Sequence, residues 1–283
     1  MNTKNEIKKL LLKNNLSRSE VTILNNRYIL QDKIDKGGLS NVYKAIDIYN
    51  EYFGEESSIA IKIPNKKLLQ KDDVAAFAYA EYKFIRQLNH QNIVKVYDFA
   101  VDKKTNTPYI VLEYLKGEKL IFQNISTMNM NSKNNMFIEL YYTIKYIHKN
   151  KIIHADINPY NIIKEKENYT IFDFGVSQNL LLNEQFNLEY NKVKVFNPLY
   201  SAPEVIEKNN PTVNSDIFSF ACVMYEIYTQ KQLFEKSSIE LYDDSFHIDF
   251  SKIPFILKRW FKNALSVKED DRNMNIKLIR FLK

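Results

Sequence analysis

A single cysteine, Cys222, in a chain of 283 residues excludes an internal disulfide and any cysteine cluster for zinc. No apolar run is long enough to span a bilayer. The longest, Ile217 to Tyr225, is interrupted by Ser219. Near the start, Leu10, Leu11 and Leu12 stand alone between lysines, too few for a signal-peptide core. Proline and glycine never cluster into a linker, and no internal repeat is visible. A net charge of +6 is mild and dispersed, which argues against nucleic-acid binding. These absences predict a reduced, cytoplasmic protein with no membrane or nucleic-acid partner, and leave delivery into another cell open. With 45% hydrophobic and 13% aromatic residues, the chain has enough apolar material for a packed core of one or two domains.

Residues 1–27 read as a polar extension with a short helix at Glu6–Leu12. From Tyr28 the pattern alternates in steps of two. Arg27–Leu30, Asn41–Ile46 and Ser58–Ile63 read as strands, as do Ile93–Phe99 and Tyr109–Tyr114. Between them Asp72 is placed to cap a helix running to Leu88. Beyond Gly117 helical spacing takes over. Met136, Phe137, Leu140, Tyr141, Ile144 and Ile147 share one stripe, and Phe218, Cys222 and Tyr225 another. Phe255–Leu265 and Ile276–Leu282 read as two closing helices. A strand-rich first third and a helical remainder make an α+β, two-lobed layout.

Five glycines make each one informative, and two of them, Gly37 and Gly38, are adjacent between strands. Glycine there lets backbone N–H groups approach a phosphate, although the same residues suit an ordinary hairpin. Lys62 on a strand and Glu81 on the next helix suit a phosphate-holding ammonium oriented by a carboxylate, or equally a surface salt bridge. The stretch from His154 carries Asp156, Asn158 and Asn161, and Asp173-Phe-Gly175 follows it. Each aspartate alone suits a turn or cap. The ordered set suits a base and oxygen ligands for a hard cation.

Taken in order, Lys36–Val42, Lys62, Glu81, His154–Asn161, Asp173–Gly175 and Ala202–Glu204 resemble the motif set of the eukaryotic-type protein kinase family. The resemblance covers residues 28–283. It implies a two-lobed kinase fold with an N-lobe at 28–112, a hinge at 113–117 and a C-lobe at 118–283. Ser215–Phe220 resembles the family's central helix, and Arg272 the arginine that pairs with Glu204. The resemblance implies ATP and Mg2+ or Mn2+ as cofactors and a protein as substrate. Ile34, Lys36, Gly37, Gly38, Ser40 and Val42 would cover the nucleotide, and Ala60, Leu112, Glu113, Leu115 and Ile163 would surround the adenine. Lys62 and Glu81 would hold phosphate, Asp156 would be the catalytic base, and Asn161 and Asp173 would hold metal.

Four departures qualify it. Asp35 and Ser40 replace two loop glycines. Ala155 replaces the arginine that receives a loop phosphate, and 173–197 holds no threonine, only Ser177 and Tyr190 as hydroxyl acceptors. Asn158 stands where a lysine contacts the γ-phosphate, so Asn158 joins the candidate catalytic residues and Asn158→Lys is expected to leave activity unchanged or raise it. Asn197 replaces the threonine that orients the catalytic aspartate. The resulting expectation is a Ser/Thr protein kinase active without loop phosphorylation, with Leu180–Leu182, Phe186, Val193, Val195 and Phe196 as packing anchors of the segment. The alternatives are a pseudokinase-type binding module and a small-molecule kinase of the aminoglycoside or choline kinase type.

Overall fold

Alternating side chains build a six-stranded antiparallel sheet in the first part of the chain. Its strands are β1 (Ile23–Leu24), β2 (Tyr28–Lys36), β3 (Ser40–Asp47), β4 (Ser58–Pro64), β5 (Val96–Val101) and β6 (Pro108–Glu113), in the order β1-β2-β3-β4-β6-β5. The structure is a computed structural model that describes residues 3–13, 21–71, 73–121, 125–179, 196–208, 211–277 and 279–282. Because side chains alternate across a strand, Leu24, Tyr28, Leu30, Ala45, Ile59, Ile61, Tyr109 and Val111 gather in one buried cluster. Val42 opposite Lys62, and Ala60 opposite Leu112, occupy the other side of the pleat.

Helix α1 (Thr3–Lys13) packs Ile7, Leu10 and Leu11 with Ile29 of β2 and with Ile48, the first residue of α2 (Ile48–Phe53). The polar-looking start is therefore an amphipathic helix with an apolar stripe set on the sheet. The sequence pattern did not foresee α2. The Asp47 carboxylate accepts the Tyr49 N–H and starts it, and Gly54 at φ 75° ends it, a conformation that glycine adopts without strain. Helix α3 (Val74–Arg86) packs on β5 and β6, and the residue expected to cap it, Asp72, lies outside the described residues.

The chain divides into two compact units, residues 1–86 with 94–115 and residues 87–93 with 116–283. The second is mainly helical: α4 (Met130–Lys149), α5 (Pro203–Lys208), α6 (Val213–Thr229) and α7 (Phe255–Ala264). Asn129 caps α4, and Thr212 with Ser215 forms a reciprocal capping box at α6. Phe137 of α4 lies 5.3 Å from Phe220 of α6 and 5.2 Å from Trp260 of α7, ring centre to ring centre. Strands β7 (Glu118–Lys119), β9 (Ile162–Glu165) and β10 (Asn168–Ile171) form a small sheet, and β8 (Ile152–Ile153) pairs with β11 (Gln178–Asn179). Gly117 is required by packing, since a Cβ there would lie 2.1 Å from the Lys164 carbonyl oxygen.

A closing helix was expected at Ile276–Leu282; the described residues of that stretch instead form a 3-10 turn at Ile279–Phe281. Carbonyls beside this turn are bonded by α4. The Met274 carbonyl accepts the Tyr141 hydroxyl, and the Leu282 carbonyl accepts the Asn134 amide at 2.8 Å.

Candidate active site

In the first unit, strand alternation turns Ala60 and Lys62 to the same side of β4. The Lys62 ammonium meets the Glu81 carboxylate of α3 at 2.6 Å, with each residue only 6% exposed. The surface salt bridge is thereby excluded: this pair is buried. The β2–β3 turn is closed by Gly37 donating to the Ser40 carbonyl at 2.9 Å. Asn65 ties it to β4, its backbone N–H bonding Leu39 at 2.9 Å and its side chain bonding Gly38 at 2.7 Å. Ile34 and Lys36 on β2 are exposed and Ser40 is buried, while Leu112 and Glu113 end β6 just before Leu115.

In the second unit, the segment after β8 hangs from α6. The Asp216 carboxylate, 1% exposed, accepts the backbone N–H of His154 at 2.8 Å and of Ala155 at 2.9 Å. His148 at the end of α4 places Nε2 2.9 Å from the same carboxylate. Ala155 sits at φ 65°, a left-handed conformation that a non-glycine residue holds only when its surroundings fix it. The His154 ring accepts the Asp156 N–H on Nδ1 at 3.3 Å, so its Nε2 donates to the Phe172 carbonyl at 3.2 Å. Phe174 packs on that ring at 4.6 Å. His148 and Asp216 were not singled out as anchors from the sequence, because nothing in the sequence links residues so far apart.

Asp156 is clasped on both carboxylate oxygens. Asn158 donates to Oδ1 at 2.8 Å and Asn161 to Oδ2 at 2.7 Å. Burial, and behind it the nearby negative charge of Asp173, pushes the Asp156 carboxyl up to about 7 despite these two bonds. A carboxyl with that pKa is suited to take up a proton near neutral pH. Asn161 commits both amide hydrogens to Asp156, and its Oδ1 has no donor among the described residues. Asp173, at φ 63°, has one oxygen bonded to the Gly175 N–H at 3.2 Å. Asn161 and Asp173 thus supply the oxygen donors that a hard cation prefers. The described residues contain no cluster of three His, Cys, Asp or Glu, so much of any cation's shell would come from phosphate and water.

Two sequence readings are corrected. Ser177 is fully buried and donates its hydroxyl to the His154 carbonyl at 2.9 Å, so in this conformation it is a structural bond and not an exposed acceptor. Asn158 is enclosed and bonded at both ends of its amide. It is 4% exposed, and its side chain is held by Asp156 and by the Tyr160 N–H. Tyr190 and the anchors Leu180–Leu182, Phe186, Val193 and Val195 lie outside the described residues. The buried 2.5 Å bond from the Tyr200 hydroxyl to the Glu226 carboxylate was not foreseen from the sequence. Arg272 grips Glu204 through two bonds of 2.6 and 3.0 Å, as the resemblance implied.

A family model for the protein kinase domain matches residues 28–281. The chain belongs to the protein kinase domain family. This kinase-family chain is 31% identical over 215 residues to a probable serine/threonine-protein kinase of Clostridium acetobutylicum, across 74% of its own length and 31% of that relative. It is 32% identical over 214 residues to MAP3K epsilon protein kinase 1 of Arabidopsis thaliana, across 73% of its length and 14% of the relative. Serine/threonine-protein kinase polo of Drosophila melanogaster is 30% identical over 215 residues, across 72% of this chain and 34% of polo. The kinase-family chain therefore spans about a third or less of these relatives. Among the described residues no helix is long and apolar enough to cross a membrane.

Proposed function

We propose that the protein transfers the γ-phosphoryl group of ATP to serine or threonine hydroxyls of a protein substrate. The observation that carries the reading is the clasped, part-buried Asp156 carboxyl with its pKa raised to about 7, beside Asn161 and Asp173. Asp156 accepts the substrate hydroxyl proton as the new O–P bond forms and the bond from Pγ to the β,γ-bridging oxygen breaks, releasing ADP. Asn161 Oδ1 and the Asp173 carboxylate would hold Mg2+, which supplies charge neutralisation on the phosphates when bound. Lys62, fixed by Glu81, neutralises the α- and β-phosphates. By the family resemblance, Ile34, Lys36, Gly37, Gly38, Ser40, Val42, Ala60, Leu112, Glu113, Leu115 and Ile163 are assigned to nucleotide binding.

Serine/threonine specificity draws support from the names of the relatives. The reading includes independence from loop phosphorylation, because Ala155 offers no guanidinium to receive a phosphate. Incubation with labelled ATP, Mg2+ and a generic protein substrate, followed by phosphoamino-acid analysis, tests the reading. Phosphoserine or phosphothreonine, lost on addition of EDTA, is the expected result. ATP binding or hydrolysis without protein labelling would favour the binding-module or small-molecule readings.

A further inference from the structure

We infer that Asn158 is a positioning residue that fixes the orientation of the Asp156 carboxylate, and that it makes no contact with the transferring phosphate. The inference rests on the reading of Asp156 as the base. A primary amide has two hydrogens and one carbonyl oxygen. In Asn158 both hydrogens go to Asp156, one to its backbone carbonyl at 3.2 Å and one to Oδ1 at 2.8 Å. The oxygen accepts the Tyr160 N–H at 2.9 Å, capping the 3-10 turn Pro159–Asn161. No hydrogen remains for a phosphate oxygen, and the residue is 4% exposed.

The same bonds explain a second departure in the sequence. Asn197 stands where a threonine would orient the base, yet its Oδ1 accepts the Leu199 N–H at 3.2 Å and it makes no bond to Asp156 among the described residues. Asn158 has taken over that task. With Asn161 on Oδ2, it grips the carboxylate from both sides and fixes the plane in which the base presents its oxygens. Pro159, at the first position of the turn, has its φ preset and keeps the clasp rigid. A small misplacement of a reacting group lowers turnover without changing substrate binding.

Steady-state kinetics on Asn158 variants test this. Asn158→Asp keeps the capping oxygen and removes both amide hydrogens. Its kcat should fall about 100-fold while KM for ATP stays within about threefold. Asn158→Ser retains a cap and adds no charge, and should show the same split, which keeps the test valid if the aspartate variant fails to fold. Asn158→Lys should not exceed wild-type kcat, which removes the gain that the sequence-based expectation allowed. Near wild-type kcat in both the Asp and Ser variants, or a gain in Asn158→Lys, would overturn the inference. Asp156→Ala, measured alongside, isolates the underlying reading. Full transfer there would show that Asp156 is not the base, whereas loss of transfer there with unaffected Asn158 variants would refute only the positioning role.

Discussion

The Asp216 carboxylate of α6 accepts the Ala155 backbone N–H at 2.9 Å, and that bond holds a left-handed alanine one residue before Asp156. The same carboxylate holds His154 at 2.8 Å, so one buried side chain fixes the backbone on which Asp156 stands. Asp216→Ala would leave two N–H groups unmatched, one of them buried, at about 1–3 kcal/mol each. The variant should unfold at a clearly lower temperature and transfer no phosphate, whereas Asp216→Asn keeps one acceptor and should be intermediate in both. Thermal melts and transfer assays on the two variants check this ordering.

Lys62 and Glu81 form a buried pair, so removing one partner affects stability as well as chemistry. Lys62→Ala should abolish transfer and destabilise the first unit by about 3 kcal/mol, the usual effect of breaking such a pair. Replacing both, as Lys62→Met with Glu81→Leu, should restore much of the stability and none of the activity. Denaturant unfolding distinguishes the two cases. A single variant as stable as wild type would mean that the pair is not buried in solution.

The raised pKa of Asp156 gives stability a definite pH dependence when no metal or nucleotide is present. The folded carboxyl, at about 7, holds its proton more tightly than an unfolded aspartate near 3.8. The folded state therefore binds more protons between those values, and stability falls as pH rises from about 4 to 7. Asp156→Asn removes that loss. Its Tm should match wild type near pH 4 and exceed it at pH 8, since a gain of about 1 kcal/mol raises Tm by roughly 2–4 °C at this size. Equal melting temperatures at both pH values would contradict the raised pKa.

Ala155 stands in place of the arginine that would receive a loop phosphate, and Ser177 is buried with its hydroxyl bonded to the His154 carbonyl. Phosphatase treatment of freshly purified protein should leave its transfer rate unchanged. A large loss would show that a phosphate is bound elsewhere and that activity depends on it.

Much of this was legible in the chain. The strand alternation at Ser58–Ile63 and the helical stripe from Met136 to Ile147 fix the major elements, because burial on one face leaves a period in the sequence. Lys62, Glu81, Asp156, Asn161 and Asp173 were singled out by their order. What the sequence hid depended on partners distant along the chain. Ser177 read as a hydroxyl acceptor for a loop phosphate, and its bond to the His154 carbonyl is invisible in the sequence, as are the bonds from Asn158 to Asp156. Helix α2 escaped because Ile46 and Ile48 continue a strand pattern that the Asp47 cap interrupts. At the end of the chain a 3-10 turn, Ile279–Phe281, stands where a helix was expected, and the bond from Asn134 of α4 to the Leu282 carbonyl left no mark in the local pattern.

The most direct test of the central claim is single-turnover phosphoryl transfer by wild type and Asp156→Asn, with ATP affinity measured on the same preparations. Removing the base while keeping its shape should leave ATP affinity within about threefold and slow transfer by about 100-fold or more, the lower end of general-base contributions. Transfer to a protein serine or threonine at the wild-type rate in Asp156→Asn would contradict the account.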